Sequence, residues 1–198
     1  MFNLRNIILL TFAIAFSSGI LAGDLEDGDA AYAKNDFSTA LRKYKSAAAQ
    51  GNVNAQAALG AMYSGGQGVV QDSAEAVRLW KLTAAQGSAK AQFNLGLNHF
   101  SGIGVVQDYA ETLRLWLLAA AQGDADAQGG LGLMYNQEVG VVQDFVRAHM
   151  WYNLAGAKGN SAAVGLRDIV AKQMTPQQIA QAQKLARECQ ARNFKYCN

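Results

Sequence analysis

Gly51, Gly87, Gly123 and Gly159 stand 36 residues apart, and most of the chain between them keeps the same step. Trp80, Trp116 and Tyr152 repeat at that spacing, as do Gly68, Gly104 and Gly140. The run Val-Val-Gln-Asp occurs three times, ending at Asp72, Asp108 and Asp144. Ala-Gln-x-x-Leu-Gly precedes each of these runs and places Leu59-Gly60, Leu95-Gly96 and Leu131-Gly132 in register. A period of this length requires stacked copies of one supersecondary unit, because a single copy cannot bury its own apolar face.

The punctuation identifies that unit. Asp72, Asp108 and Asp144 open helix-forming stretches and are favoured N-cap residues. Glu75 and Glu111 follow the first two caps by three residues and predict capping boxes, whereas Arg147 removes the third. Each stretch runs through its large aromatic residue to the periodic glycine, which ends a helix cheaply in the left-handed conformation. Asn52, Ser88, Asp124 and Asn160 follow at once as new N-caps. The unit is therefore a helix A, a glycine-containing loop, a helix B and a tight turn. Small residues at Gly60, Gly96 and Gly132 predict close helix approach, with Trp80, Trp116 and Tyr152 filling the space opposite. One proline in the chain and abundant alanine agree with an all-α fold.

The boundaries follow: copies over 52–87, 88–123 and 124–159, with an abbreviated helical hairpin over 24–51. Asp36, Ala40, Tyr44 and Gly51 occupy the helix B register of that hairpin. Residues 160–198 form the C-terminal cap. In it Thr175, Pro176 and Gln178 predict a capped helix with Ile179, Ala182 and Leu185 on one stripe. At the other end, Arg5, the apolar run Ile7–Phe16 and the small residues after it read as a signal peptide over 1–22. The run is shorter than the roughly 20 apolar residues a bilayer crossing takes, so no stable membrane span is expected after cleavage. Cleavage removes Arg5 and takes the formal charge from +2 to +1, which gives no field that favours nucleic acid.

The pattern Ala-Gln-x-x-Leu-Gly-x-Met-Tyr, Gly-x-Gly-Val-x-x-Asp, Ala-x-x-x-Trp, Ala-Ala-x-Gly resembles the Sel1-like repeat of the tetratricopeptide superfamily. Residues 55–87 carry it almost completely, 91–123 with changes and 127–159 more loosely. The opening hairpin resembles an ordinary tetratricopeptide unit, and the stretch from Met174 to Cys197 resembles the tail of small exported bacterial members. The resemblance implies a right-handed α-solenoid, periplasmic or secreted, that serves as an interaction scaffold. It implies a protein or peptide ligand in a groove lined by helices A. It also brings one alternative, a cell-envelope hydrolase of the β-lactamase-like type described for cysteine-rich relatives. This chain lacks one cysteine pair per repeat and the Ser-x-x-Lys motif such an enzyme would need.

The cysteines are Cys189 and Cys197. On one continuous helix they would lie about 12 Å apart, too far for a disulfide, so pairing requires the helix to end near Ala191–Asn193. An exported compartment favours pairing; free thiols or half of a zinc site are the alternatives. Little else carries chemistry. His99 and His149 have no metal-ligand spacing, no serine elbow is present, and Gly66-Gln67-Gly68 and Gly102-Ile103-Gly104 read as backbone turns. A non-enzymatic protein without a cofactor or metal is therefore expected. One stretch departs from its siblings: Asn98-His99-Phe100 replaces Met62-Tyr63-Ser64, and Phe93 replaces a small residue. Phe93 and Phe100 share a helix face. They are either compensated packing or, with Asn94, Asn98 and His99, a partner-binding surface beside Leu97 and Leu133.

Overall fold

The computed structural model describes residues 23–195 and 197, and among these every regular element is a helix. The segment read as a signal peptide lies outside them. The chain divides into two compact units, Met1–Gln86 and Gly87–Asn198, each with its own core.

In the first unit α1 (23–33) and α2 (Phe37–Ala49) form the opening hairpin, followed by α3 (Val53–Gly65) and α4 (Ser73–Ala85). In the second, α5 (Ala89–Ser101) and α6 (Tyr109–Ala120) form one copy and α7 (Ala125–Gln137) and α8 (Phe145–Ala157) the next. The chain then continues into α9 (Ser161–Ala171) and α10 (Pro176–Ala191). Within each unit, contacts run between consecutive helices, as a solenoid requires, apart from α10 against α8 and a small contact of α7 with α9. Asn52, Ser88, Asp124 and Asn160 cap helices A (and α9), each side-chain oxygen accepting from the backbone N–H three residues on. Asp72, Asp108 and Asp144 do the same for helices B.

The packing seam is a glycine against an aromatic ring. A Cβ on Gly60 would stand 2.5 Å from the Trp80 indole, and one on Gly132 would stand 2.6 Å from the Tyr152 ring. The opening hairpin holds the same joint, since a Cβ on Gly28 would meet the Tyr44 ring at 2.6 Å. Its loop is shorter, which hides the match from a fixed 36-residue step.

The capping boxes predicted at Glu75 and Glu111 do not form. Their carboxylates turn outward to grip Arg78 and Arg114 as two-point ion pairs, with N···O distances of 2.6–2.7 Å. The physical reason lies in the loop. The N–H of Asp72 already donates to Tyr63 C=O at 2.9 Å, and that of Asp108 to His99 C=O at 2.9 Å, so no N-cap donor is left for the glutamate. The preceding glutamine completes this clasp. Gln71, Gln107 and Gln143 donate side-chain N–H to the C=O of Ser64, Phe100 and Asn136 at 2.8–2.9 Å. Two orphan carbonyls at the end of each helix A are thereby satisfied by its own loop.

In the third copy, Arg147 and Met150 occupy the positions of the Glu111–Arg114 pair. Met150 is buried, and α10 turns back to lie against α8. The buried stripe on α10 is Ala182, Ala186 and Cys189, flanked by half-buried Ile179 and Leu185. Thr175 and Gln178 form the predicted reciprocal capping box. The helix ends at Ala191, and Cys189 and Cys197 are joined by a disulfide with Cα atoms 5.2 Å apart.

Candidate functional site

On α5 the two aromatic residues turn inward. The Phe93 and Phe100 rings stack on Trp116 with centroids 6.0 and 5.4 Å away, and Phe100 also meets Tyr109 edge-on at 5.6 Å. The Trp116 indole N–H donates to Phe93 C=O at 3.1 Å. Opposite those rings the indole lies against Gly96 and Gly130, where a Cβ would approach to 2.6 and 2.7 Å. Asn98 is buried and donates back to Asn94 C=O at 2.9 Å, as helix-interior asparagines do when they bond their own preceding turn. His99 is half-buried; its C=O accepts from Asp108 N–H, and its Nδ1 is buried without a partner. The structure therefore gathers Phe93 and Phe100 around one indole and leaves Asn94 half-exposed beside Leu97. Leu97 is 43% exposed although Leu95 and Gly96 next to it are buried. One repeat on, Leu133 is half-buried.

The recurring glutamines of helices A are structural groups. Gln56 and Gln128 donate to Ala48 and Ala120 C=O at 3.3 Å, stitching each helix A to the end of the helix B before it. Gln92 Oε1 accepts from Gln122 at 2.9 Å. No sequence signal short of the repeat itself marks these roles.

His149 is buried on α8 with Nδ1 unpartnered. Burial, and secondarily the Arg167 guanidinium, pushes its pKa below the ordinary imidazole value, partly countered by Asp168. Nδ1 has no serine, thiol or carboxylate partner. Among the described residues, no group of three or more His, Cys, Asp and Glu could hold a metal, and no helix is long and apolar enough to cross a membrane.

Two clefts flank the C-terminal disulfide in the second unit. One, of about 330 Å³, opens between α8 and α10 over Met150, Leu185 and the disulfide, with Asp144, Arg147 and Glu188 among the residues lining it. The other, of about 280 Å³, lies between α6, Trp151 and Phe194.

The family model for the Sel1 repeat matches residues 21–52, 53–88, 89–124 and 125–160. The chain belongs to the Sel1 repeat family. Sel1 repeat proteins are generally protein-interaction scaffolds and typically non-enzymatic. The chain is similar to c5321, a protective antigen of uropathogenic Escherichia coli strains with an SLR fold, at 33% identity and a TM-score of 0.72. That match covers 79% of this chain and 34% of the antigen. It is also similar to a Sel1 repeat protein from Oxalobacter formigenes, at 34% identity and a TM-score of 0.68, over 73% of this chain and 59% of that one. The chain thus spans about a third of the first relative and three-fifths of the second. The comparison with curated proteins returned no match.

Proposed function

We propose that this Sel1 repeat chain is an exported scaffold, periplasmic or secreted, that holds a peptide or protein segment along its A helices. The observation that carries the proposal is Leu97. A leucine left 43% exposed between well-packed neighbours is unspent apolar area on the element that faces ligands in tetratricopeptide relatives. Asn94 flanks it as a half-exposed amide, while Phe93 and Phe100, with Asn98 and His99 among them, form the rigid layer beneath. The Cys189–Cys197 disulfide supports an oxidising compartment.

Panning a phage-displayed random peptide library on the chain tests the binding proposal. Enriched peptides should bind wild type about tenfold or more tightly than Leu97→Asp, with helical content unchanged. No enrichment, or equal binding to Leu97→Asp, refutes it. Export is tested separately by the intact mass of the protein from a periplasmic extract, which should begin at residue 23 or 24. A chain retaining residues 1–22 in the cytosol refutes that part.

A further inference from the structure

Leu118 on α6 and Leu154 on α8 stand 36 residues apart in the same helix B position, yet Leu118 is 42% exposed and Leu154 is fully buried. Each of these helices has the next helix A against it; what α8 has in addition is α10. The chain therefore shows what covers this side of a helix B when it is covered: an amphipathic helix.

At Leu118 the covering is incomplete. Leu117, Leu118 and Ala121 form one wall of the 280 Å³ cleft, with Trp151 and Phe194 opposite, so the cleft continues the α8–α10 interface onto α6. Phe194 has φ 62°, a left-handed conformation that an aromatic residue adopts only when its surroundings force it. Here the Cys189–Cys197 ring closes around it and Lys158 Nζ lies 5.0 Å from the ring centroid. Strain of this kind gathers at ligand clamps. The Trp151 indole N–H is buried and has no acceptor. Lys158, over the Phe194 ring at the edge of the cleft, has no carboxylate partner among the described residues, and Arg114 in the cleft wall is held by Glu111.

We propose that this cleft docks an amphipathic helix of a partner protein. The helix places one large aliphatic side chain between Leu118, Trp151 and Phe194 and carries acidic residues toward Lys158. The site uses none of the α5 residues and stands or falls apart from the proposed peptide surface there.

The test pans a yeast-displayed library of amphipathic helices on the full chain with its disulfide intact. Enriched sequences should share one large aliphatic residue with acidic neighbours and bind Leu118→Asp about tenfold or more weakly than wild type. Leu97→Asp should leave their binding unchanged, and Lys158→Glu should weaken acidic helices while favouring basic ones. Leu118 is substantially exposed, so Leu118→Asp should melt like wild type; if it does not, Phe194→Ala replaces it in the titration. No enriched helix, or helices that bind Leu118→Asp and Phe194→Ala as well as wild type, overturn the proposal. So does self-association of the wild type, measured by sedimentation, that Leu118→Asp abolishes, since the occupant would then be a second copy.

Discussion

Gly96→Ala and Gly165→Ala are the same chemical change inside two helices of one unit, and the structure gives them opposite signs. Gly165 lies within α9 on an exposed face, and a Cβ there meets nothing within 4 Å. Only the helix propensity difference remains, a gain of about 0.8–1.0 kcal/mol. At Gly96 the added methyl would stand 2.6 Å from both Cδ1 and Nε1 of Trp116. The indole has no room to yield, because Phe93 and Phe100 stack on it, Gly130 lies against its six-membered ring, and it is 2% exposed. Overpacking of this kind costs about 1–3 kcal/mol, and losing the Nε1–Phe93 hydrogen bond adds roughly 1 kcal/mol. Set against the propensity gain, the net loss for Gly96→Ala is about 1–3 kcal/mol. Urea titration of both variants, with the slope held common, should therefore separate them by roughly 2–4 kcal/mol. Trp116→Phe in the Gly96→Ala background should recover part of the loss relative to its effect alone. A Gly96→Ala protein as stable as wild type would refute the glycine–indole seam.

Three further outcomes follow from single sites. Glu138 takes the left-handed position that Gly66 and Gly102 hold in the other copies, with φ 59°, so Glu138→Gly should raise stability by about 0.5–1 kcal/mol in the same titration. Folding depresses the His149 pKa, so its contribution is complete above the unfolded value of 6.5 and is lost as pH falls toward the folded value. Melting temperature should decline between about pH 7 and 5 in the wild type and less steeply in His149→Gln; equal slopes would remove His149 as the cause. Cys197→Ser should cost about 2–3 kcal/mol by the loop-entropy estimate for so short a ring, and thiol labelling that finds Cys189 already free in the wild type would contradict the bond.

What the sequence disclosed was whatever is fixed by short offsets. The caps at Asp72 and Asn52, the glycine ends and the aromatic opposite Gly60 all depend on residues within one unit and so recur in register. The Glu75 box failed for a reason invisible in one dimension: its intended donor was already taken by Tyr63 C=O, nine residues back across the loop. The glutamine of Val-Val-Gln-Asp shares that cause, because its partner is a carbonyl rather than a side chain and leaves no residue type to notice. The surface on α5 was half legible. Spacing put Phe93 and Phe100 on one face, but only the position of Trp116 says which way that face points. Phe194 against α6 was out of reach, since it depends on α10 turning back onto α8 and on the ring closed by Cys189 and Cys197.

The loop clasps bear on how such a chain grows. Gln71 and Asp72 bind carbonyls of their own helix A, and Trp80 and Trp116 donate to Ala57 and Phe93 within their own copies. Polar obligations are thus met inside each 36-residue stretch, apart from stitches such as Gln128 to Ala120 C=O. A complete copy spliced in between Gly123 and Asp124 would bring its own glutamine and its own helix B terminus, so each clasp and each stitch would keep a partner. Length is then a quantity that duplication can adjust without redesign of the copies.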